Sequence, residues 1–474
     1  MGNRLTPRDQ DFAKWYTEVC DLAKLFTYGD TKGTINYLPN SWKIWEEMQK
    51  ILNNEFEVLG IENVLLPLFI KTSEFVKEQK HIEGFAPEAY IVTKVGQEVL
   101  EDPLIVRPTS EVLFSQLFSQ TANTYKQLPL KYNQWCTVYR AEKTTKPFLR
   151  GCEIVWHEAH CLFTTQEEAE DFAVKVGKVY DKFLTEVCCL PMLSGRKTEG
   201  EKFAGAVWTN TREVWSYDKQ MIQTGTSHFL GQNFSKMYNI KVQDKNNQFF
   251  PPYYTSHGTT QRMIGDIIVV HGDDKGIVMP FKLAAKQIII GALNINENPK
   301  ILELANSLKA SLSNYRVKVD DTNNSFGFKI AESETLGTPF FVILGKRELE
   351  NNTLTIVRRD TGEKISVAEN EIVNKISELS VDYDKTLYTR AKKRMDDDIV
   401  YVDTVEEFEK QSYLNKIVLA PWGGEIEDEE KIKKFNNYRP RCVKDDTTKE
   451  ELENKKCFLT GKKAFQLVYF ARAY

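Results

Sequence analysis

Three arginines and a glutamate, far apart in the sequence, limit the folds open to this chain more than any other feature. Arg140 and Glu142 stand in Tyr139-Arg140-Ala141-Glu142, Arg150 follows, and Arg262 closes Gly258-Thr259-Thr260-Gln261-Arg262. A guanidinium is permanently charged and grips phosphate oxygens through paired N–H groups. On a strand, an Arg-x-Glu pair places both side chains on one face. The chain has no GxxxxGK[ST] loop, no GxGxxG after a strand and no GxSxG elbow. His157-Glu158-Ala159-His160 lacks the spacing of a zinc peptidase helix. A nucleoside triphosphate bound here would be held by arginine side chains on an antiparallel sheet, and the fold must bring those arginines together.

Strand-like runs recur at Ile105–Arg107, Trp135–Glu142, Ile154–Phe163, Met221–Gly225 and Asp266–His271. Ser41 is expected to cap an amphipathic helix carrying Trp42, Ile44, Trp45, Met48, Ile51 and Leu52. Thr165-Gln166-Glu167-Glu168 is a capping box that opens a second helix, running to about Val187. Asn63–Phe69 reads as a short apolar strand. Its Pro67 assigns it to an edge or an interface. Helices flanking runs of strands give an α+β class with a mostly antiparallel sheet over residues 1–281. Near Pro280-Phe281 the pattern changes. Gln287–Gly291 and Phe340–Gly345 flank Ile301, Leu304, Leu308 and Leu312 at helical spacing, a βαβ-type unit that predicts a smaller α/β domain over 282–385. Residues 386–474 form a charge-rich third segment.

At 474 residues, 41% of them hydrophobic, the chain is long enough for two or three domains. No apolar run is long enough to span a membrane, and no secretory signal is expected. The eight cysteines show no CxxC pattern, which fits a reduced, cytoplasmic setting. A net charge of −4 requires any RNA contact to come from a local basic surface.

Arg107-Pro108-Thr109-Ser110-Glu111 ends a strand and sets a hydroxyl and a carboxylate two residues apart. That is either a capped helix start or a pocket for a small cationic group. Trp156, Glu158 and His160 alternate and share one face of a strand, with His157 on the other. Gln223-Thr224-Gly225-Thr226-Ser227-His228 is a polar run after an apolar strand.

These segments resemble the prolyl-tRNA synthetases of the archaeal/eukaryotic-like type, which are class II aminoacyl-tRNA synthetases. The similarity runs along essentially the whole chain. It includes Phe85-Ala86-Pro87-Glu88, Arg107–Glu111, Leu130–Trp135, Pro147–Arg150, Gly195–Glu199, Lys202–Gly205, Gly225–His228, Leu230–Lys236 and Arg358–Lys364. The resemblance implies a class II catalytic domain, an anticodon-binding domain and a family-specific C-terminal domain. It implies ligation of L-proline to tRNA(Pro) through a prolyl-adenylate, with ATP and Mg²⁺, by a cytoplasmic homodimer with Pro67 at the dimer interface.

By the same resemblance, Arg140 and Arg262 are catalytic. ATP falls to Arg140, Glu142, Arg150, Gln223, Thr226, Thr260 and Arg262. Proline falls to Thr109, Glu111, Arg140, Trp156, Glu158, His160, Phe203 and His228. Lys329, Lys346, Arg347, Arg358 and Arg359 are the implied tRNA contacts. The C-terminal carboxylate of Tyr474 is expected to tuck toward the catalytic domain.

The chain departs from the family pattern in four places. Ile154 stands where a phenylalanine stacks on adenine, and Gly151-Cys152 replaces a Thr-Arg pair. His157 replaces a glutamine. Only Cys457 remains of a four-cysteine zinc site, so no structural zinc is expected, with packing around Trp422, Phe465 and Phe470 in its place. The span from Arg150 to Arg262 leaves no room for the bacterial editing insertion, so cysteine and alanine are candidate misactivated substrates. The alternative is a non-catalytic tRNA-binding or regulatory paralogue. Retention of Arg140, Glu142 and Arg262 argues against it.

Overall fold

The computed structural model describes residues 5–79 and 89–474. The Phe85-Ala86-Pro87-Glu88 motif lies outside the described residues. Among those described, a seven-stranded sheet carries the first unit. Its strand order is Glu62–Asn63, Leu130–Tyr139, Glu153–Phe163, Tyr253–Thr260, Met221–Gly231, Trp208–Trp215 and Met192–Arg196. Every pairing is antiparallel except the first, which joins a two-residue edge strand in parallel. Register pins the faces: Trp156 lies opposite Cys136 and Thr260, Glu158 opposite Gln134 and Gly258. Because side chains alternate, Trp156, Glu158 and His160 emerge together while His157 turns into the core against Tyr180.

Helix Gln166–Glu186 backs the sheet. Its capping box is formed as the sequence predicts: the Thr165 hydroxyl accepts from the Glu168 N–H at 3.2 Å, and the Glu168 carboxylate accepts from the Thr165 N–H at 3.1 Å. The first long helix begins earlier than expected, at Pro39, whose ring presets a helical φ. Ser41 is one turn inside it, its hydroxyl donating between the carbonyls of Leu25 and Leu38.

Two strand expectations fail for identifiable reasons. Asp266–His271 belongs to a helix, Arg262–His271, in which every residue from Met263 on is buried. A segment covered on all sides shows no polar face, so its Ile and Val content imitates a strand. Asn63–Phe69 is not one strand either. Strands Glu62–Asn63 and Phe69–Lys71 bracket an extended stretch whose Leu66 and Pro67 carbonyls accept from the Arg107 guanidinium at 2.9 and 3.1 Å. Pro67 is exposed there.

The second unit is a five-stranded sheet with order Val317–Asp320, Ile288–Ala292, Phe340–Leu344, Thr353–Arg358, Lys364–Ala368. Its first three strands are parallel, linked through helices Lys300–Ser311 and Phe326–Thr335. The expected boundary after 385 falls inside one helix, Ile372–Asp396, which runs unbroken from this core toward the third unit. Three of the implied tRNA contacts are structural instead. Lys329 is buried and donates to the Ala292 and Asp320 carbonyls at 2.8 and 2.9 Å. Arg358 pairs with Asp360 and Asp382, and Arg359 with Asp273, all within 2.8 Å. A buried cation committed to such partners cannot turn to a phosphate without breaking them. Lys346 and Arg347 remain exposed.

The third unit is a four-stranded sheet, Ile399–Tyr401, Ile417–Trp422, Gln466–Arg472, Tyr438–Val443 in spatial order. Cys457 is buried in its core beside Trp422, Phe458 and Phe470. Phe465 is 64% exposed and is not part of that packing. Phe458 takes the place expected for it, 6.0 Å from Trp422 and 5.5 Å from Phe470 between ring centres. No group of three or more His, Cys, Asp or Glu side chains able to hold a metal occurs among the described residues.

Candidate functional site

One cavity opens on the face of the large sheet, and all fourteen residues assigned above to ATP or proline line it: Thr109, Glu111, Arg140, Glu142, Arg150, Trp156, Glu158, His160, Phe203, Gln223, Thr226, His228, Thr260 and Arg262. The Arg-x-Glu pair reaches it by a route the sequence reading did not foresee. The strand ends at Tyr139, so Arg140 and Glu142 lie beyond the ladder. The Arg140 N–H still donates to the Cys152 carbonyl at 2.8 Å, and the Glu142 N–H donates back to the Arg140 carbonyl at 2.9 Å, a tight turn at Ala141.

Arg140 is held from behind. Its Nε donates to the Pro108 carbonyl at 3.0 Å and its guanidinium lies 5.6 Å from the Trp156 ring centre. Arg262 opens its buried helix. Its Nε donates to the Leu149 carbonyl at 3.0 Å and its Nη1 to the Gln223 carbonyl at 2.8 Å, while the Thr260 hydroxyl accepts its N–H at 3.0 Å. Burial lowers the pKa of both arginines from the usual value; Glu111 works against this at Arg140 and Asp266 at Arg262. Arg150 donates to the Tyr474 main-chain oxygen at 3.0 Å and faces its ring. Backbone acceptors thus fix three guanidinium groups at the edge of one cavity, a preorganised anion site.

The other end is acidic and enclosed. Thr109 donates its hydroxyl to the Glu111 carboxylate. Burial raises the Glu111 carboxyl, with His160 opposing and Glu158 assisting. Burial also acts on Glu158, yet bonds from His160, Ser110 and Gln134 outweigh it and hold Glu158 below its usual value. The Gln134 amide donates to Glu158 at 2.8 Å, the Ser110 N–H at 3.2 Å. His160 is clamped between the Tyr254 hydroxyl at 2.9 Å and the Phe114 ring, whose centre is 4.1 Å away. His228 pairs with the Thr209 hydroxyl at 2.8 Å and meets Phe203 at 4.8 Å. Burial pushes its pKa down to about 3, so it is a neutral wall at physiological pH. The result is a small chamber with fixed carboxylates on one side and rings on the other, next to the arginine-lined mouth.

The supporting residues have roles that no motif assigns. Gln134 sits opposite Glu158 in register, a signal available once the two strands are paired. Thr209 and Tyr254 hold site residues and carry no motif of their own, and Ser110, inside the Arg107–Glu111 motif, acts through its backbone N–H on Glu158. Asp266, four residues after Arg262, is fully buried. It accepts from the Thr224 hydroxyl at 2.7 Å, its other oxygen has no partner, and burial raises its pKa to about 7. The Gly151-Cys152 departure has a steric setting. Cys152 is buried under Gly33 of an N-terminal hairpin, and its N–H donates to the Gly33 carbonyl at 2.8 Å. A long cationic side chain would find no room there. Ile154 lines the cavity in place of an aromatic ring.

Comparisons with known proteins follow the same three units. Residues 90–271 match the class II tRNA synthetase core domain of the G, H, P, S and T group. Residues 287–379 match an anticodon-binding domain, and 405–474 match the prolyl-tRNA synthetase C-terminal domain. The chain is 41% identical over 471 residues to a proline–tRNA ligase of Ureaplasma urealyticum, covering 99% of each. It is 43% identical over 474 residues to that of Mycoplasma capricolum, covering 100% of this chain and 99% of the relative. A crystal structure of a Cryptosporidium parvum prolyl-tRNA synthetase complexed with halofuginone and AMPPNP superposes with a TM-score of 0.94 at 32% identity, covering 99% of both chains.

Proposed function

The chain belongs to the prolyl-tRNA synthetase family, with the archaeal/eukaryotic-type architecture, and from that premise we propose how its cavity carries out the reaction. It is a proline–tRNA ligase: a class II aminoacyl-tRNA synthetase that binds ATP and joins proline to tRNA. The convergence of three arginines from separate elements on the mouth of a carboxylate-lined chamber carries the assignment of roles.

The proline ring enters between Trp156, Phe203 and His228, and its secondary ammonium faces Glu111, Thr109 and the Glu158–His160 pair. Two buried carboxylates with opposed tendencies suit this: together they keep negative charge for the ammonium without stacking two full charges. The proline carboxylate then lies toward Arg140. ATP occupies the arginine-lined mouth, its α-phosphate at Arg140, its tail at Arg150 and Arg262 beside Gln223, its base near Ile154, Glu142, Thr226 and Thr260. A proline carboxylate oxygen attacks the α-phosphorus, a new P–O bond forms, and pyrophosphate leaves with the electron pair. A terminal ribose hydroxyl of tRNA(Pro) then attacks the adenylate carbonyl and AMP departs. The enzyme needs no nucleophile, only placement and charge neutralisation.

Mg²⁺ would enter with the triphosphate, mostly ligated by phosphate oxygens and water. The Gln223 amide is an oxygen donor on the arginine side that suits it. The ion would offset phosphate charge. Lys346 and Arg347 are the remaining candidates for anticodon-side RNA contact. The exposed apolar residues Leu65, Leu68 and Phe69 around Pro67, with Ile91, Val95 and Val99 of the adjoining hairpin, support a homodimer through this face. The eight free cysteines fit a cytoplasmic setting, and no helix among the described residues is long and apolar enough to cross a membrane.

Charging of tRNA(Pro) with labelled proline tests the roles. Arg262→Ala is expected to lower kcat by about 100-fold or more, the scale of losing one preorganised charge donor. Undiminished charging in that variant would remove Arg262 from the site.

A further inference from the structure

The segment from Met192 to Phe203 leaves the edge strand of the catalytic sheet and turns into the chamber, where Glu201 and Phe203 line the cavity. Side chains and backbone of the third unit grip it along its length. Gly195 admits the Val443 carbonyl, since a Cβ there would stand 2.0 Å from that oxygen. Asp445 accepts from the Arg196 N–H at 3.3 Å. Lys197 and Arg441 approach the buried Glu213 carboxylate from opposite units, each at 2.6 Å. Glu429 reaches the turn itself: one oxygen accepts from the Thr198 hydroxyl at 2.8 Å and the other from the Gly200 N–H at 3.3 Å. A Cβ on Gly200 would lie 2.6 Å from that carboxylate, so the glycine makes room for it.

Glu429 is buried, at 6% exposure, and burial raises its carboxyl. A buried carboxylate of this kind is a poor source of stability compared with an apolar side chain of the same volume. Its geometric consequence is specific. From the held turn, the chain runs to Phe203, whose N–H donates to the Thr209 hydroxyl at 2.9 Å; Thr209 in turn holds His228, and His228 packs on Phe203. Arg140, Arg150 and Arg262 are held from elsewhere, by the main-chain oxygens of Pro108, Tyr474, Leu149 and Gln223.

We infer that Glu429 of the third unit is a positioning residue for the proline chamber: it fixes the Thr198–Gly200 turn and, through it, Phe203 and His228, while leaving the ATP mouth untouched. The inference rests on the proline-pocket reading above. It assigns the C-terminal unit a part in amino-acid binding as well as in architecture.

ATP–pyrophosphate exchange with the full-length protein tests it. Glu429→Ala and, from the opposite side of the contact, Thr198→Val are each expected to raise KM for proline about tenfold with KM for ATP within about twofold. The double variant is expected to cost no more than the larger single, because both remove one interaction. Glu429→Gln, which keeps an acceptor, is expected to recover part of the loss. Phe203→Ala serves as the marker of the pocket. If it raises KM for proline while Glu429→Ala and Thr198→Val do not, the positioning role is wrong and the pocket reading stands. If proline and ATP constants rise together in both turn variants, the contact is merely structural and the inference fails. If Phe203→Ala leaves KM for proline unchanged, the pocket reading falls and takes the inference with it.

Discussion

Asp266 lies one helical turn behind Arg262 with one oxygen bonded to Thr224 and the other without a partner. Its ordinary pKa of 3.8 is raised to about 7 by burial, against the pull of Thr224 and Arg262. The folded protein therefore keeps a proton that the unfolded chain releases. The stabilisation from that proton is complete below the unfolded value and is lost as pH rises through the folded one. At about 1.4 kcal/mol per pKa unit, the full swing is on the order of 4 kcal/mol. Asp266→Asn is neutral throughout. Thermal melts of the variant and the parent should show the variant gaining relative stability between about pH 5 and about pH 8. An offset that is the same at both would mean Asp266 titrates normally. Nothing in the sequence marked this residue, because an aspartate in an apolar run shows its burial only once the helix is placed. The arginines were legible for the opposite reason: their need for a shared anion does not depend on how the chain brings them together. Their route did depend on it, and the turn at Ala141 could not be read from alternation.

At the scale of elements, local chemistry was readable where it is self-contained. Thr165 and Glu168 bond only to each other's backbone, and the helix starts where they say. Thr165→Ala should cost about 1 kcal/mol in urea unfolding, the usual worth of an N-cap. The Michaelis constants should not change, since the cap lies away from the cavity; a shift in them would show that the helix end bears on the site. The helix Arg262–His271 was misread because tertiary burial hides its period. The expected boundary after 385 lies within helix Ile372–Asp396, which serves two cores in turn with no turn residue to interrupt it. Lys329, Arg358 and Arg359 looked like RNA contacts because the partners Asp320, Asp382 and Asp273 stand 9 to 86 residues away from them, and the one near partner, Asp360, two residues after Arg358, leaves the pairing undecided until the turn is placed.

The whole molecule joins an antiparallel catalytic sheet, a second sheet with three parallel strands and a C-terminal sheet that reaches back to the first. The second unit was visible in the change of hydrophobic pattern near Pro280 and the third in its charge-rich composition; the contacts between units were not, because they depend on single side chains such as Glu429 and Arg441. The apolar face around Leu65, which is 80% exposed, belongs to this scale too. Leu65→Asp places a charge in the proposed dimer interface and should weaken self-association by about tenfold or more in sedimentation equilibrium. A parent protein that sediments as a monomer at all concentrations would dismiss the dimer. The central claim, that this cavity activates proline by holding it and ATP on three fixed arginines, is tested most directly by ATP–pyrophosphate exchange with each amino acid in turn. We expect exchange with proline, weaker exchange with alanine or cysteine by about 10–200-fold, as for near-isosteres in an apolar pocket, and loss of all of it in Arg140→Ala. Exchange with no amino acid from folded protein, or full exchange in Arg140→Ala, would contradict the account.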